Sequence, residues 1–464
     1  MFERIKQVHF IGIGGSGMSG IAEVLLTLGY RVTGSDVRMT SVTDLLVSSG
    51  AVVYASHAPE NLAGAHVVVR SSAVPSDNPE LIEAMEKKIP VISRAEMLAE
   101  LARLKYTIAV AGTHGKTTTT SMIATVMDGA GMDPTFVVGG RLNTIGRNAR
   151  LGKGEFIVVE ADESDRSFLM LSPTIAVVTN IETDHLDHYR NLEDIQDAFV
   201  HFVNKVPFYG AVVIGTDQPA VQAILPRIKR RVLSFGVREE ADVTVLECSL
   251  ERFGSRFVVG YNGGKRQECV LRVPGVHNVL NATAAFTASL EMGVDVKTVA
   301  ASLEAFDGVE RRFEIKAQSG VVVIDDYAHH PTEVRATLSA VRSAGFNRVL
   351  AAFQPHRYTR THRLFEDFAR AFDDADAVLI TDIYPAGESP IEGVTSEALV
   401  ERMRDLYDGQ VLHVPDFASI ESFMNDQAQT GDAIVIMGAG SITRVSDALA
   451  RSMEAREPLK VNHD

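Results

Sequence analysis

Apolar residues gather along this chain in short, nearly unbroken runs, and each run ends at a glycine, a polar turn or an acid. Residues 8–11, 107–111, 156–159, 175–178, 321–324, 349–353, 377–380 and 433–436 have this form. Runs of that length, rich in Val, Ile and Ala, read as strands buried on both faces, as in a parallel sheet. Further strands are expected over 31–36, 51–55 and 66–69, and a short one over 90–93. Helical stretches lie between: 21–28, stopped at Gly29 as a C′ residue, 79–87, 94–105, 279–292, and a helix opening at Lys116-Thr117. Strand–helix alternation at both ends of the chain predicts an α/β protein. Residues 211–268 differ, with short strands and glycine-rich turns such as Asn262-Gly263-Gly264. A length of 464 residues allows about three domains of ~150 residues each. The reading is a Rossmann-like domain over 1–105, a central P-loop-type ATP-binding α/β domain over 106–313, and a C-terminal Rossmann-like α/β domain over 314–464.

Composition changes this picture little. An apolar share of 45% and a charged share of 23% are those of a globular protein. The formal charge of −15 argues against a general nucleic-acid or anionic-membrane binder. Anionic ligands stay open, because phosphate sites use local amides and single cations. Cys248 and Cys269 are too few for a disulfide framework, and no Cys/His cluster has zinc spacing. With no signal-like start and no run near the ~20 apolar residues of a membrane span, a cytoplasmic location without membrane insertion is expected. Oligomeric state, monomer or dimer, stays open.

The strongest chemistry lies at Gly112-Thr113-His114-Gly115-Lys116-Thr117-Thr118. An apolar strand, a glycine turn and Lys-Thr opening a helix make a phosphate-binding loop, with backbone amides and the helix N-terminus facing anionic oxygens. Lys116 can reach terminal phosphates, and the Thr117 hydroxyl can sit on Mg²⁺. The Walker spacing wants glycine where Val110 stands; the first glycine, Gly112, comes two residues late. Glu160, ending the strand 156–160, is placed as a Mg²⁺ ligand on a neighbouring strand end. A His185 ligand would be unusual for magnesium, which prefers oxygen. Asn281, at a helix start, reads either as a cap or as a hydrogen-bonding group for a base.

A second glycine loop, Gly12-Ile13-Gly14-Gly15-Ser16-Gly17-Met18-Ser19-Gly20, follows the first strand, and Asp36 comes nineteen residues after Gly17. That spacing fits a dinucleotide fingerprint but leaves open whether NAD or another nucleotide diphosphate binds. Ser72 stands at a further strand end. In the last third, Asp326, His329, Arg357 and Arg360 crowd strand ends, and two arginines three apart suit a carboxylate.

Taken together and in this order, these stretches resemble the Mur ligase family, and within it the members that act on UDP-N-acetylmuramate. Glu160-Ala161-Asp162-Glu163-Ser164-Asp165, Thr179-Asn180-Ile181-Glu182-Thr183-Asp184-His185 and His277-Asn278-Val279-Leu280-Asn281 carry the resemblance beside the two glycine loops. Arg311-Arg312-Phe313 and Asp325-Asp326-Tyr327-Ala328-His329-His330-Pro331 complete it. The late Walker glycine is the family's own form of the loop. The resemblance implies ATP-dependent ligation of L-alanine to the lactyl carboxylate of UDP-N-acetylmuramate through an acyl phosphate, in peptidoglycan precursor synthesis. It implies ATP on Gly112, Thr113, His114, Gly115, Lys116, Thr117 and Thr118, with His277 and Asn281 beside adenine and Arg312 and Asp326 closing on the nucleotide. Lys116, Glu160 and His185 would be catalytic, and Thr117, Glu160 and His185 would hold Mg²⁺. Gly14, Gly15, Ser16, Gly17, Met18, Asp36 and Ser72 would bind the UDP-sugar; Tyr327, His329, Arg357 and Arg360 would take L-alanine. Several relatives carry a carbamylated lysine where this chain has Val200. The alternatives are a tripeptide (murein peptide) ligase of the same family, or an NAD(P)-dependent oxidoreductase, which would leave the Lys116 loop idle. Because acyl phosphates hydrolyse, the C-terminal domain is expected to close over ATP.

Overall fold

The apolar runs become the strands of three sheets. The computed structural model describes residues 5–71, 73–143, 147–185, 188–238, 240–407 and 409–455; Ser72 lies outside them. The first sheet is wholly parallel, in the order Val52–Tyr54, Arg31–Ser35, Gln7–Ile11, Val67–Arg70, Val91–Ser93. The strand order reverses at Gln7–Ile11, so the crevice where such sheets bind ligands opens beyond Ile11, at the first glycine loop.

The second sheet has ten strands. At its centre Tyr106–Ala111 lies parallel between Phe156–Glu160 and Ile175–Val178, with Val110 opposite Glu160 and Ala111 opposite Val178. That register sets Glu160 and the residues after Val178 on either side of the phosphate loop. Within residues 211–268, read as short strands, Val243–Glu251 and Gly254–Tyr261 are instead long strands that widen this sheet. The third sheet runs Glu314–Ser319, Val321–Asp326, Ala433–Met437, Val349–Phe353, Ala377–Ile380, Gln410–His413. It is parallel apart from its first strand, an antiparallel edge that lacks an apolar run.

Two compact units result. One comprises Met1–Leu246, Val258–Cys269 and Leu280–Phe306. Its first and second sheets share a core running from Phe10, Ile21 and Leu25 to Phe168, Phe199 and Phe202. The helix Ser16–Thr27 sits at that junction, and it begins inside the glycine motif, not at residue 21. The glycines allow the close approach: a Cβ on Gly20 would lie 3.0 Å from Ala149 Cβ. The other unit comprises Glu247–Phe257, Val270–Val279 and Asp307–Asp464. Cores cover both faces of its sheet, Ile324, Val334 and Phe353 on one side and Ile420, Ile436 and Leu449 on the other. Among the described residues no helix is long and apolar enough to cross a membrane.

Candidate active site

The strand Tyr106–Ala111 feeds the phosphate loop and the helix Lys116–Gly129. Gly112 has φ +140°, and a Cβ there would collide with Thr179 Oγ1. Gly115 caps the helix at φ +82°, where a Cβ would collide with Asn281 Oδ1. Backbone conformation and crowding both demand glycine. Thr179 and Asn180 serve as a template for the turn. The Asn180 amide donates to His114 O at 2.9 Å and accepts from His114 N at 2.8 Å, while Thr179 Oγ1 donates to His114 O at 2.6 Å. Thr113 Oγ1 accepts from Glu182 N at 2.8 Å. The His114 amide is thus engaged within the loop. The first intrahelical bond is Thr119 N to Gly115 O, so the amides of Lys116, Thr117 and Thr118 have no partner within the helix and carry its positive end toward an anion.

Lys116 Nζ donates to Gly112 O at 2.7 Å, Thr113 O at 3.2 Å and Glu163 Oε1 at 2.9 Å. Burial pulls its pKa down, and the carboxylates of Glu163, Asp162 and Glu160 more than reverse this, so the net shift is upward and the ammonium is charged. The sequence sent Lys116 toward phosphates; here it is folded back on the loop's carbonyls and on Glu163. Glu163 was not singled out, because it stands in an acidic run that reads as solvated loop, yet it is buried. Glu160 accepts from Gly139 N at 2.9 Å. His185, at φ +54°, has Nε2 3.4 Å from Asp184 Oδ2 and 3.6 Å from Glu163 Oε1. Three carboxylates around one ammonium give a surplus of negative charge with oxygen donors, a set that fits a hard divalent cation. Thr117 and Thr118 are nearly buried on the first helical turn.

Asn281 lies in the second turn of the helix Val276–Glu291, which starts three residues earlier than its apolar pattern suggests. Its Oδ1 accepts from Thr119 Oγ1 at 3.2 Å, so it braces the phosphate loop, where the resemblance set it beside adenine. The His277 ring packs under Gly275, 2.6 Å from where a Cβ would stand.

At the first glycine loop Asp36, the acid of the dinucleotide-like spacing, holds the loop. Asp36 Oδ2 accepts from Gly14 N at 2.9 Å, and its Oδ1 from Arg38 N at 3.0 Å. The amides of Gly12 and Ile13 donate to Ser35 O at 2.8 and 3.1 Å. Ser35 Oγ donates to Glu80 Oε2 at 2.5 Å, and Asn61 Nδ2 to Glu80 Oε1 at 2.6 Å. Gly15 is the N-cap of Ser16–Thr27 and offers no side-chain cap. The Met18 side chain is in the core, so a ligand there would meet only its backbone. Of Ser16 only the backbone is described.

In the second unit Asp326 accepts from Phe313 N at 2.9 Å and Ala328 N at 2.7 Å. Burial raises its pKa to about 6 against the pull of Arg312 and these amides. Arg311 and Phe313 beside it have φ of +59° and +50°. The guanidinium carbons of Arg311 and Arg312 lie 4.9 and 5.1 Å from the Tyr327 ring centre. His329 Nδ1 is 3.0 Å from Tyr327 O and 3.3 Å from a Glu333 oxygen. His356, which the sequence did not single out, stacks on Tyr384 and lies 6.1 Å from His329, ring to ring. Burial, then Arg360 and Arg357, push its pKa down to about 4, so neutral Nδ1 accepts from Arg360 Nη1 at 3.3 Å. Arg357, at φ +70°, stands 3.8 Å from Glu388 Oε1. Tyr327, His329, Arg357 and Arg360 therefore gather around one strand-end cluster, the set that the resemblance named.

Comparison with known proteins follows the same three-sheet division. Residues 7–106 match the model of the Mur ligase family catalytic domain, 110–289 the Mur ligase middle domain, and 311–440 the Mur ligase glutamate ligase domain. A UDP-N-acetylmuramate–L-alanine ligase of Geobacter sp. (strain M21) is 52% identical over 458 residues, covering 98% of this chain and 99% of its own. The crystal structure of the UDP-N-acetylmuramate-alanine ligase of Thermotoga maritima superposes with a TM-score of 0.83 at 30% identity, over 97% of this chain and 100% of that one. A murein peptide ligase of Psychrobacter arcticus gives a TM-score of 0.72 at 26% identity, over 97% and 98%. With three family models matched along the chain, a relative 52% identical over 98% of it and a shared fold, this protein belongs to the Mur ligase family.

Proposed function

We propose that the chain joins L-alanine to the lactyl carboxylate of UDP-N-acetylmuramate, converting ATP to ADP and phosphate, as a cytoplasmic step of peptidoglycan precursor synthesis. The observation that carries this reading is the preformed phosphate loop, with a charged Lys116 held among strand-end carboxylates; the 52% identity to a relative of that name supports the substrate. A carboxylate is a poor acyl donor, since its leaving group would be oxide. Attack of a carboxylate oxygen on the γ-phosphorus expels ADP and gives an acyl phosphate; the alanine amine then attacks the acyl carbon, and phosphate leaves with that oxygen.

In this reading Lys116 exchanges Glu163 and the loop carbonyls for phosphate oxygens, joined by the amides at the helix start. Thr117, Glu160 and His185 would hold Mg²⁺, which when bound supplies positive charge beside the transferring phosphoryl group. Gly112 to Thr118, His277, Asn281, Arg312 and Asp326 would form the nucleotide site. The loop Gly14 to Met18, with Asp36 and Ser72, would take the UDP-sugar. Arg357 and Arg360 would fork the alanine carboxylate beside Tyr327 and His329. The reading also divides the chain at 105/106 and 313/314, whereas the three family models span 7–106, 110–289 and 311–440.

The test is mass spectrometry of products formed from ATP, Mg²⁺ and UDP-N-acetylmuramate with either L-alanine or the tripeptide. A product heavier by one alanyl residue, formed only with all components, is expected. Product with the tripeptide alone would move the chain to the murein peptide ligases.

A further inference from the structure

Arg94 is the first residue of the helix Arg94–Ala102, fixed there by the Ser93 cap, which accepts from Glu96 N at 3.1 Å. A cation at a helix N-terminus opposes the dipole. Its ion pair is loose: Nη2 stands 3.4 Å from Asp162 Oδ2, with both side chains about a third exposed, at 31% and 39%. Its guanidinium also lies across the first turn of Ser16–Thr27, where a Cβ on Gly17 would come within 2.7 Å of Nη1 and 3.0 Å of Cδ. Gly17 thus makes room for a charged fork at the glycine loop. Asp162 is also one of the carboxylates that act on Lys116 of the phosphate loop. The guanidinium therefore stands between the two loops, at a dipole end and against a half-engaged partner.

We propose that Arg94 is a substrate-binding residue: its guanidinium leaves Asp162 to grip an anionic group of the UDP-sugar seated in the first glycine loop. This rests on the reading of that loop as the acceptor site. Anionic oxygens come from two places on such an acceptor, the diphosphate and the lactyl carboxylate, and the guanidinium suits either.

Calorimetry on the full chain separates the possibilities, with UDP-N-acetylmuramate and UDP-N-acetylglucosamine, which lacks the lactyl carboxylate, as probes. Arg94→Gln is expected to weaken UDP-N-acetylmuramate binding by about 10- to 100-fold while leaving the affinity for a non-hydrolysable ATP analogue unchanged. Equal weakening for both sugars places the grip on the diphosphate; weakening for UDP-N-acetylmuramate alone places it on the carboxylate. Asp162→Ala removes the same ion pair and is expected not to weaken either sugar. If Asp162→Ala weakens them as much as Arg94→Gln does, Arg94 is only a strut and the inference fails; it fails equally if Arg94→Gln binds like the wild type. Should Arg94→Gln lose the ATP analogue as well, Arg94→Lys is judged by the same criteria, with a smaller loss expected. A wild-type chain that binds neither sugar would instead overturn the proposed function.

Discussion

The chain uses one device twice, a parallel strand running through a glycine turn into a helix, and the two copies are held in different ways. At Gly112–Gly115 the turn is crowded from outside: Thr179 stands where a Cβ of Gly112 would go, Asn281 where one of Gly115 would go, and Asn180 grips both polar groups of the His114 backbone. At Gly12–Gly17 the turn is held by its own next strand, through Ser35 O and Asp36, and Gly15 is open enough that a Cβ would make only ordinary contacts, the nearest at 3.5 Å. The first arrangement keeps a cation in store for phosphate. The second ties the amides of Gly12 to Gly15 down within its own turn and places Arg94 alongside. Loop shape is common to both; what each can bind is decided by side chains that arrive from elsewhere.

The largest effect is expected at the cation. Lys116→Met should lower kcat by about 10³-fold, the scale of removing a preorganised charge from a transition state. It should also destabilise the chain by about 3 kcal/mol or more, since buried Glu163 is left unpaired. Adding Glu163→Gln should restore the midpoint of chemical unfolding without restoring turnover. A double variant as unstable as Lys116→Met would break the claim that the two groups balance each other.

Next comes Glu80, which anchors the first loop through Ser35. Burial raises its pKa, and hydrogen bonds from His9, Ser35 and Asn61 outweigh this, bringing it from 4.5 down to about 2. A depressed carboxylate stabilises the fold fully above its unfolded pKa and loses that contribution as pH falls through the folded value. About 3 kcal/mol should therefore disappear between pH 4.5 and pH 2. Urea titrations across that range should show a slope that Glu80→Gln flattens.

Glycine replacements contrast the loops directly. Gly112→Ala combines a strained φ with a clash and should cost about 2 kcal/mol or more, whereas Gly15→Ala should cost less than about 1 kcal/mol. Thermal unfolding of the pair decides this; equal losses would mean that outside crowding does not distinguish the turns. The smallest loss of function is expected at Asn180→Ala, a rise of about tenfold in the KM for ATP with a lesser change in kcat, the worth of one or two loop-shaping hydrogen bonds.

Both turns were legible because glycine is tied to φ and close approach, and buried parallel strands leave apolar runs such as 107–111 and 433–436. The edge strands Glu314–Ser319 and Gln410–His413 were not, since an edge buries less of its length. Helix starts at Ser16 and Val276 were hidden by glycines and a histidine that intrinsic propensity disfavours. Glu163, Asn180 and Arg94 escaped for another reason. Each is an ordinary polar residue in an ordinary loop or helix start, and only strand register brings it to a glycine turn. Glu163 and Asn180 lie within stretches that carry the family resemblance, and all three share a position, just beyond the C-terminal ends of strands 156–160, 175–178 and 91–93, where parallel sheets collect their chemistry.

The account's central claim is that a carboxylate oxygen of the acceptor becomes part of the released phosphate. The most direct measurement is mass analysis of that phosphate after turnover of UDP-N-acetylmuramate labelled with ¹⁸O in both lactyl carboxylate oxygens, with ATP, Mg²⁺ and L-alanine. One ¹⁸O in the phosphate and one in the new amide are predicted. Unlabelled phosphate beside an alanylated product would contradict transfer of the γ-phosphoryl group to the carboxylate, and with it the role given to Lys116.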